Sequence, residues 1–239
     1  WQERFGTFVP GEAAVYAWDM AALCTKLTTD FRDQQRPDGW ASMYGAPISQ
    51  DYPALKETMG HLPWLAYAYY GDRDILEANY ESIRRYTELI LPRHDLSERT
   101  WRPLEVGEAE AGWGDHGRPT ARWYDPHTGD LYETMQIIGY LRAVEAIARV
   151  LGEEADADRY REVQARLVDK CNSPRFLDRE AGLYGGGDQG CHAQALVLDI
   201  APAGLRDRVA DHLVRDVMET RGGHLNTGFL GTVLLLRAL

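Results

Sequence analysis

The sequence predicts an all-α fold made of helical hairpins, and three observations support this prediction. Apolar residues recur with a helical period along most of the 239 residues, whereas no strand-like alternation recurs. Two junctions repeat one plan, in which an apolar helix ends at Gly71 or Gly152 and acidic residues open the next helix. A tyrosine follows in both copies, Tyr80 and Tyr160. Long loops alternate with these tight turns, an arrangement typical of hairpins in a toroid that carries its functional loops on one rim.

About eight helices are expected in chain order. In the first, apolar residues from Val15 to Leu27 share one side, so Trp18 is expected to pack between helices, as is Trp64 in the second. Asp72 is expected to cap the third helix, because its side chain can accept a hydrogen bond from a free N–H of the first turn. The expected helices cover residues 11–34, a segment ending at Gly71, 72–91, 131–152, 153–171, 188–200, 203–220 and 225–239, with long loops at 35–53, 93–129 and 174–188.

The composition excludes several kinds of partner. A formal net charge of -11 argues against binding to nucleic acid or to an anionic membrane, since both require a cationic protein surface. A neutral or cationic ligand fits better. Cys24, Cys171 and Cys191 lack the spacing of zinc or redox sites and are expected to be buried thiols. Neither a metal nor a cofactor is expected. No apolar run is long enough for a membrane-spanning helix. A cytoplasmic location and a secreted location both stay open.

Aromatic and acidic residues cluster in the expected long loops. The glycine-rich stretch AEAGWGDHGRP, residues 109–119, brings together Trp113, Asp115 and His116. Carboxylates bind sugar hydroxyls and transfer protons, and indole faces stack on a pyranose ring, so this combination is typical of a sugar pocket. Two alternatives stay open: core tryptophans with solvated acids, and a turn that Asp115 caps. The glycines at 184–190 are interpreted as a flexible loop, and His192 as a core histidine.

Six stretches of the chain carry a family resemblance. They are WQERFG, CTKLTTDFRDQQRPDGW, PWLAYAYYGDRDILEANY, GWGDHG, LRAVEAIARVLGEEADADRY and GGHLNTGFLGTVLLLRAL. Together, and in this order, they resemble the catalytic domain of family 78 glycoside hydrolases, the α-L-rhamnosidases of bacteria and fungi. The segments ERFG and HLNTGFLGT are the most specific. The resemblance implies an (α/α)6 six-hairpin toroid and an inverting hydrolysis that releases terminal α-L-rhamnose from glycosides.

The resemblance also implies that residues 1–239 form a single, partial catalytic domain. About eight of the twelve helices of the toroid are expected in it. The family's general base lies beyond the HLNTGFLGT helix, in a Trp-Glu-Arg-Trp stretch that this sequence does not contain. The chain alone is therefore expected to be inactive and to depend on the remainder of its own polypeptide. In the incomplete toroid, Leu234, Leu235 and Leu236 are expected to face water.

Individual site residues follow from the same resemblance. Glu3 corresponds to the general acid that protonates the leaving oxygen, with Arg4 retained beside it. Three positions depart from the family: Thr7 and His116 replace tryptophans, and Glu57 lies in Leu-Lys-Glu where the family has Trp-Gly-Asp. These changes leave the sugar open, and a non-catalytic carbohydrate-binding relative or a helical scaffold without ligand are the alternatives. The expected substrate-binding residues are Arg4, Glu57, Trp113, Asp115, His116 and His224.

Overall fold

The structure, a computed structural model, describes residues 11–41, 56–95, 115, 119 and 126–239. These ranges are predominantly helical, which confirms the all-α prediction. Contacts divide the chain into two compact units. The first takes residues 1–96 and 140–164, and the second takes residues 97–139 and 165–239. Among the described residues, no helix combines the length and apolarity needed to cross a membrane.

The first unit is built from hairpins of helices. It contains α1 (Gly11–Ala17), α2 (Ala21–Asp33), α3 (Lys56–Tyr70), α4 (Arg73–Asp95), the later part of α5 (Pro126–Leu151) and the early part of α6 (Glu154–Cys171). In its core, the rings of Tyr86 and Tyr140 meet edge to face, and the Thr87 and Tyr140 hydroxyls lie 2.7 Å apart. A Cβ at Gly60 would come within 2.7 Å of the Tyr140 ring, so α3 and α5 approach closely here because residue 60 has no side chain.

Both tight turns predicted from the repeated plan are present in the first unit. Gly71 follows α3 with φ +69°, and Gly152 follows α5 with φ +86°, a left-handed conformation that glycine adopts without steric cost. Asp72 caps α4 as expected, because its Oδ1 accepts a hydrogen bond from the Ile75 N–H at 3.1 Å. The local chemistry of these turns therefore determines where the helices end and begin.

The two hairpins with these turns lie side by side. The Tyr80 hydroxyl on α4 donates to Asp156 Oδ2 on α6 at 2.7 Å, and Arg159 of α6 pairs with Glu88 of α4. Arg73 Nη1 also donates to the Val150 carbonyl at 2.5 Å. Residues at the corresponding turns of the repeat are thus in contact, and the two tight turns share one end of the first unit.

The first expected helix is broken into two. α1 ends at Ala17, α2 begins at Ala21, and the intervening Met20 N–H donates to the Tyr70 hydroxyl at 2.8 Å. Because the break resets the helical period, the packing predicted for Trp18 was wrong: its side chain is 69% exposed. The buried side of α2 instead consists of Cys24, Leu27, Thr28 and Phe31. Trp64 is half-buried and lies against the Tyr67 ring.

The second unit combines helices with one short hairpin. Its elements are the early part of α5, the end of α6, β1 (Leu177–Asp178), β2 (Leu183–Tyr184), α7 (Gln189–Val197), a 3-10 turn (Ala203–Leu205), α8 (Arg206–Arg215), a π-helical turn (Asp216–Thr220) and α9 (Phe229–Ala238). β1 and β2 pair antiparallel. α7 packs against both α8 and α9. This hairpin was not predicted from the sequence, because two-residue strands are too short to show alternation.

The glycine-rich segment at 184–190, for which a flexible loop was expected, connects β2 to α7. Tyr184 belongs to β2, and Gly185, Gly186 and Gly187 all have positive φ. Asp188 then caps α7, with its Oδ1 accepting from the Cys191 N–H at 2.9 Å. The glycines thus form the turn that leads directly from the hairpin into a capped helix.

The last helix begins later than predicted. α9 starts at Phe229, whereas a helix was expected from residue 225. Within it, the prediction that Leu235 faces water was wrong, because this side chain is fully buried. Leu236 is exposed and Leu234 is half-buried. Residues 225–228 thus form a loop before α9 instead of its first turn.

Candidate functional site

The structure describes only some of the predicted site residues. Glu3, Arg4, Trp113 and His116 lie outside the described residues. Glu57 lies in the first turn of α3, where only the backbone is described. Asp115 and His224 are described in full, and both belong to the second unit. The geometry of the candidate site is therefore built from these two residues and their neighbours.

Asp115 is buried and accepts hydrogen bonds from the protein backbone. Its Oδ2 accepts from the Gly228 N–H at 2.6 Å, and its Oδ1 accepts from the Gly231 N–H at 2.9 Å. The hydroxyl of Tyr132, on α5, donates to Oδ1 at 3.4 Å. Hydrogen bonds to a charged acceptor are stronger than those between neutral groups, so these contacts fix the Asp115 side chain against the start of α9.

The position of Asp115 explains how α9 is capped. The first N–H groups of a helix need acceptors, which a Ser, Thr, Asp or Asn immediately before the helix usually provides. In α9 that position is Gly228, which has no side chain. Asp115, 113 residues earlier, provides the missing carboxylate at the positive end of the helix dipole. This geometry is close to the capping alternative, while direct contact of Asp115 with a sugar stays a prediction.

Two glycines make room for this carboxylate. A Cβ built on Gly231 of α9 would lie 2.7 Å from Asp115 Cγ, and one built on Gly190 of α7 would lie 3.0 Å from Asp115 Oδ2. A Cβ does not fit at the Gly231 distance, and at Gly190 it would fit only if its neighbours shifted by a few tenths of an ångström. The first turn of α9 can therefore approach Asp115 because position 231 is glycine, and glycine at position 190 leaves room for the same carboxylate beside α7.

His224 is exposed on a loop that Gln189 holds in place. The role of Gln189 was not predicted from the sequence. Gln189, the first residue of α7, is 2% exposed. Its Oε1 accepts from the Asn226 N–H at 2.7 Å, and its Nε2 donates to Asp216 Oδ2 at 2.7 Å. A polar residue beside the helix cap Asp188 was the available signal in the sequence, but its partners lie far along the chain.

His192 is a buried histidine, as predicted. Its ring stacks on that of His212 with centroids 5.6 Å apart, and its Nδ1 donates to the Asp188 carbonyl at 2.8 Å. Burial, reinforced by the neighbouring His212, lowers the pKa of His192 to about 4. The imidazole is therefore neutral at physiological pH and serves the packing of α7 against α8.

Metal and thiol chemistry receive no support from the described part of the chain. No group of three or more His, Cys, Asp or Glu residues in it could hold a metal ion. Cys24, Cys171 and Cys191 are buried, as expected. Burial raises the pKa of the Cys171 thiol to about 12, which keeps it protonated and unreactive.

Two further acids on α5 are buried in the second unit and were not predicted. Asp130 pairs with Arg175, with Nη2 of the arginine 2.9 Å from Oδ2 of the aspartate. Glu133 is 5% exposed. Both acids are thus buried in the same unit as Asp115.

The sequence and the structure are both similar to those of α-L-rhamnosidases. An α-L-rhamnosidase of Streptomyces avermitilis is 27% identical over all of this chain and 22% of its own length. An α-L-rhamnosidase of an Alteromonas species is 25% identical over 95% of this chain and 24% of its own length. The solved structure of an α-L-rhamnosidase from Dictyoglumus thermophilum matches 98% of this chain and 26% of its own, with 25% identity and a TM-score of 0.83.

The family model matches the chain from end to end. The chain spans about a quarter of the length of the relatives that it matches. The family model, described as the bacterial alpha-L-rhamnosidase 6 hairpin glycosidase domain, covers residues 1–239 of this chain. The helical hairpins, their tight turns and this match agree with one another. The chain therefore belongs to the six-hairpin glycosidase domain family of the bacterial α-L-rhamnosidases.

Proposed function

We propose that the complete protein containing this chain is an inverting glycoside hydrolase that releases terminal α-L-rhamnose or a similar sugar. The observation that carries the proposal is the family match across residues 1–239. Relatives named α-L-rhamnosidase, which match 100% and 95% of this chain, support it. The substrate is a carbohydrate, and the proposal involves neither a metal nor a cofactor.

Glu3 is the proposed general acid. In an inverting mechanism, one carboxylic acid protonates the leaving oxygen while a second carboxylate, roughly 6.5 to 9.5 Å away, activates a water molecule. Arg4, Glu57 and His224 are proposed to bind the sugar. Trp113 and His116 are proposed to form the pocket wall on either side of Asp115, which accepts hydrogen bonds from the Gly228 and Gly231 N–H groups at the start of α9.

Hydrolysis of an aryl α-L-rhamnoside by the complete protein tests this function. We expect Glu3→Gln to lower turnover by roughly 100-fold or more, because the amide cannot donate a proton to the leaving group. The melting temperature should change little. Asp19→Asn is the matched control, since Asp19 is exposed and accepts a hydrogen bond only from the nearby Ala21 N–H among the described residues.

The alternatives predict different results. A non-catalytic sugar-binding relative would bind L-rhamnose without releasing it from the glycoside. A helical scaffold would neither bind L-rhamnose nor hydrolyse the glycoside. Full activity of Glu3→Gln would show that another residue is the general acid.

A further inference from the structure

The loop at 221–228, called here the His224 loop, projects from the second unit into solvent. Gly222 and Gly223 have φ values of +60° and +86°, and a Cβ added at either would meet no atom within 4 Å. His224 and Leu225 are exposed, whereas Asn226 is buried. The loop therefore presents the imidazole at its tip while its end is packed in the protein.

The two ends of the His224 loop are held differently. At its start, the loop is held by backbone–backbone hydrogen bonds. The Gly223 N–H donates to the Val217 carbonyl at 2.8 Å, and the His224 N–H donates to the Arg221 carbonyl at 3.1 Å. At its end, the donors are the Asn226 and Gly228 N–H groups, and their acceptors are the side chains of Gln189 and Asp115. Buried backbone N–H groups need acceptors, so distant side chains fix this end of the loop.

Gln189 connects both ends through one side chain. Its Oε1 accepts from the Asn226 N–H at the end of the loop, and its Nε2 donates to Asp216 Oδ2, just before the start of the loop. The same Asp216 oxygen accepts from Arg221 Nε at 3.1 Å. The side-chain amide supplies both the donor and the acceptor that this bridge requires, whereas a carboxylate has no donor and a hydrocarbon has neither.

We propose that Gln189 is a positioning residue for sugar binding, which fixes the location of His224 by joining the two ends of the His224 loop. This inference rests on the proposed function, in which His224 contacts the substrate. Gln189 acts through His224, and its bridge limits the conformations of the loop before the sugar binds. Such preorganisation improves affinity because less freedom is lost on binding.

The variant Gln189→Met of the complete protein tests this role, because it keeps the volume of the side chain and removes both hydrogen bonds. We expect KM for an aryl α-L-rhamnoside to rise about tenfold, the effect of one or two lost hydrogen bonds, with kcat within about twofold. Gln194→Met is the matched control. Gln194 lies on the same helix and is 2% exposed, and its Oε1 has no hydrogen-bond partner among the described residues.

A double-mutant cycle tests whether the effect passes through His224. If it does, adding Gln189→Met to His224→Ala should raise KM no further than His224→Ala alone, because the group being positioned is already absent. Additive increases in KM would overturn the proposal. Gln189→Glu is a second variant in case Gln189→Met does not fold, since it keeps an acceptor for the Asn226 N–H and loses the donor to Asp216.

Limited trypsin digestion provides a readout that does not depend on activity. Cleavage after Arg221 should accelerate at least about fivefold in Gln189→Met and stay unchanged in Gln194→Met, because local opening governs proteolysis of folded proteins. Equal cleavage rates in the two variants would overturn the anchoring role. If the wild type hydrolyses no rhamnoside, the proposed function fails and substrate positioning fails with it, while the digestion still decides whether Gln189 anchors the loop.

Discussion

Asp115 and Gly231 lie so close together that the carboxylate fills the space that a side chain at position 231 would need. A Cβ on Gly231 would be 2.7 Å from Asp115 Cγ, and the Gly231 N–H donates to Asp115 Oδ1 at 2.9 Å. The missing side chain and the hydrogen bond are therefore parts of one arrangement. It joins the 115 position to the first turn of α9, although the two are more than one hundred residues apart.

Gly231→Ala should destabilise the second unit strongly. The new methyl group would displace the Asp115 carboxylate and break its hydrogen bonds to the Gly228 and Gly231 N–H groups. Each hydrogen bond to a charged group contributes about 1.5–3 kcal/mol, so we expect a loss of at least about 3 kcal/mol in the free energy of unfolding. Urea unfolding of the complete protein, followed by far-UV circular dichroism, measures it.

Gly204→Ala is the control for this substitution. Gly204 has no positive φ, and a Cβ there would meet no atom within 4 Å, so alanine should change the stability by less than about 1 kcal/mol. If Gly231→Ala is as stable as Gly204→Ala, then Asp115 does not hold α9 as the structure indicates.

The parts of the fold that could be predicted from the sequence depend on nearby residues. The turns at Gly71 and Gly152 and the cap at Asp72 each involve a few consecutive residues, and all three are present. Helices with a clear apolar period were likewise found. Helix boundaries were predicted less accurately, because the apolar period of the sequence continues across a break in the helix. Trp18, which was expected to be packed, is exposed and lies between α1 and α2.

The candidate site was less predictable because its contacts are distant in sequence. The acceptor that α9 lacks at Gly228 is Asp115, and the acceptor for the Asn226 N–H is Gln189. A sequence shows that a helix begins after a glycine without a capping side chain, but it does not show which distant carboxylate replaces the cap. Asp115 was therefore predicted from the sequence as a site residue, a role that stays a prediction, while its contacts with α9 could not be predicted.

The stability of the protein should fall below neutral pH because of His192. Its pKa of about 4 in the folded protein is below the value of about 6.5 for an exposed histidine, so the unfolded chain binds a proton first as the pH falls. The contribution of neutral His192 is fully present above about pH 6.5 and is lost as the pH falls towards 4. Its size is up to about 3 kcal/mol.

His192→Gln tests this pH dependence, since glutamine does not titrate and can still donate to the Asp188 carbonyl. The decrease in melting temperature between pH 7 and about pH 4.5 should be smaller in this variant than in the wild type. His224→Gln, which replaces an exposed histidine, should keep the decrease of the wild type. An equal decrease in all three proteins would contradict the role of His192.

Tyr80 and Tyr160 hold equivalent places in the repeated plan, yet their hydroxyls should contribute differently to stability. The Tyr80 hydroxyl donates to Asp156 Oδ2 at 2.7 Å, whereas the buried Tyr160 hydroxyl has no hydrogen-bond partner among the described residues. Tyr80→Phe should therefore cost about 1 to 2 kcal/mol, because it removes a hydrogen bond to a carboxylate. Tyr160→Phe should be neutral or stabilising by up to about 1 kcal/mol, because it removes a hydroxyl that was buried without compensation. Urea unfolding of the two variants measures both changes, and a larger loss for Tyr160→Phe would show that its hydroxyl has a partner in solution.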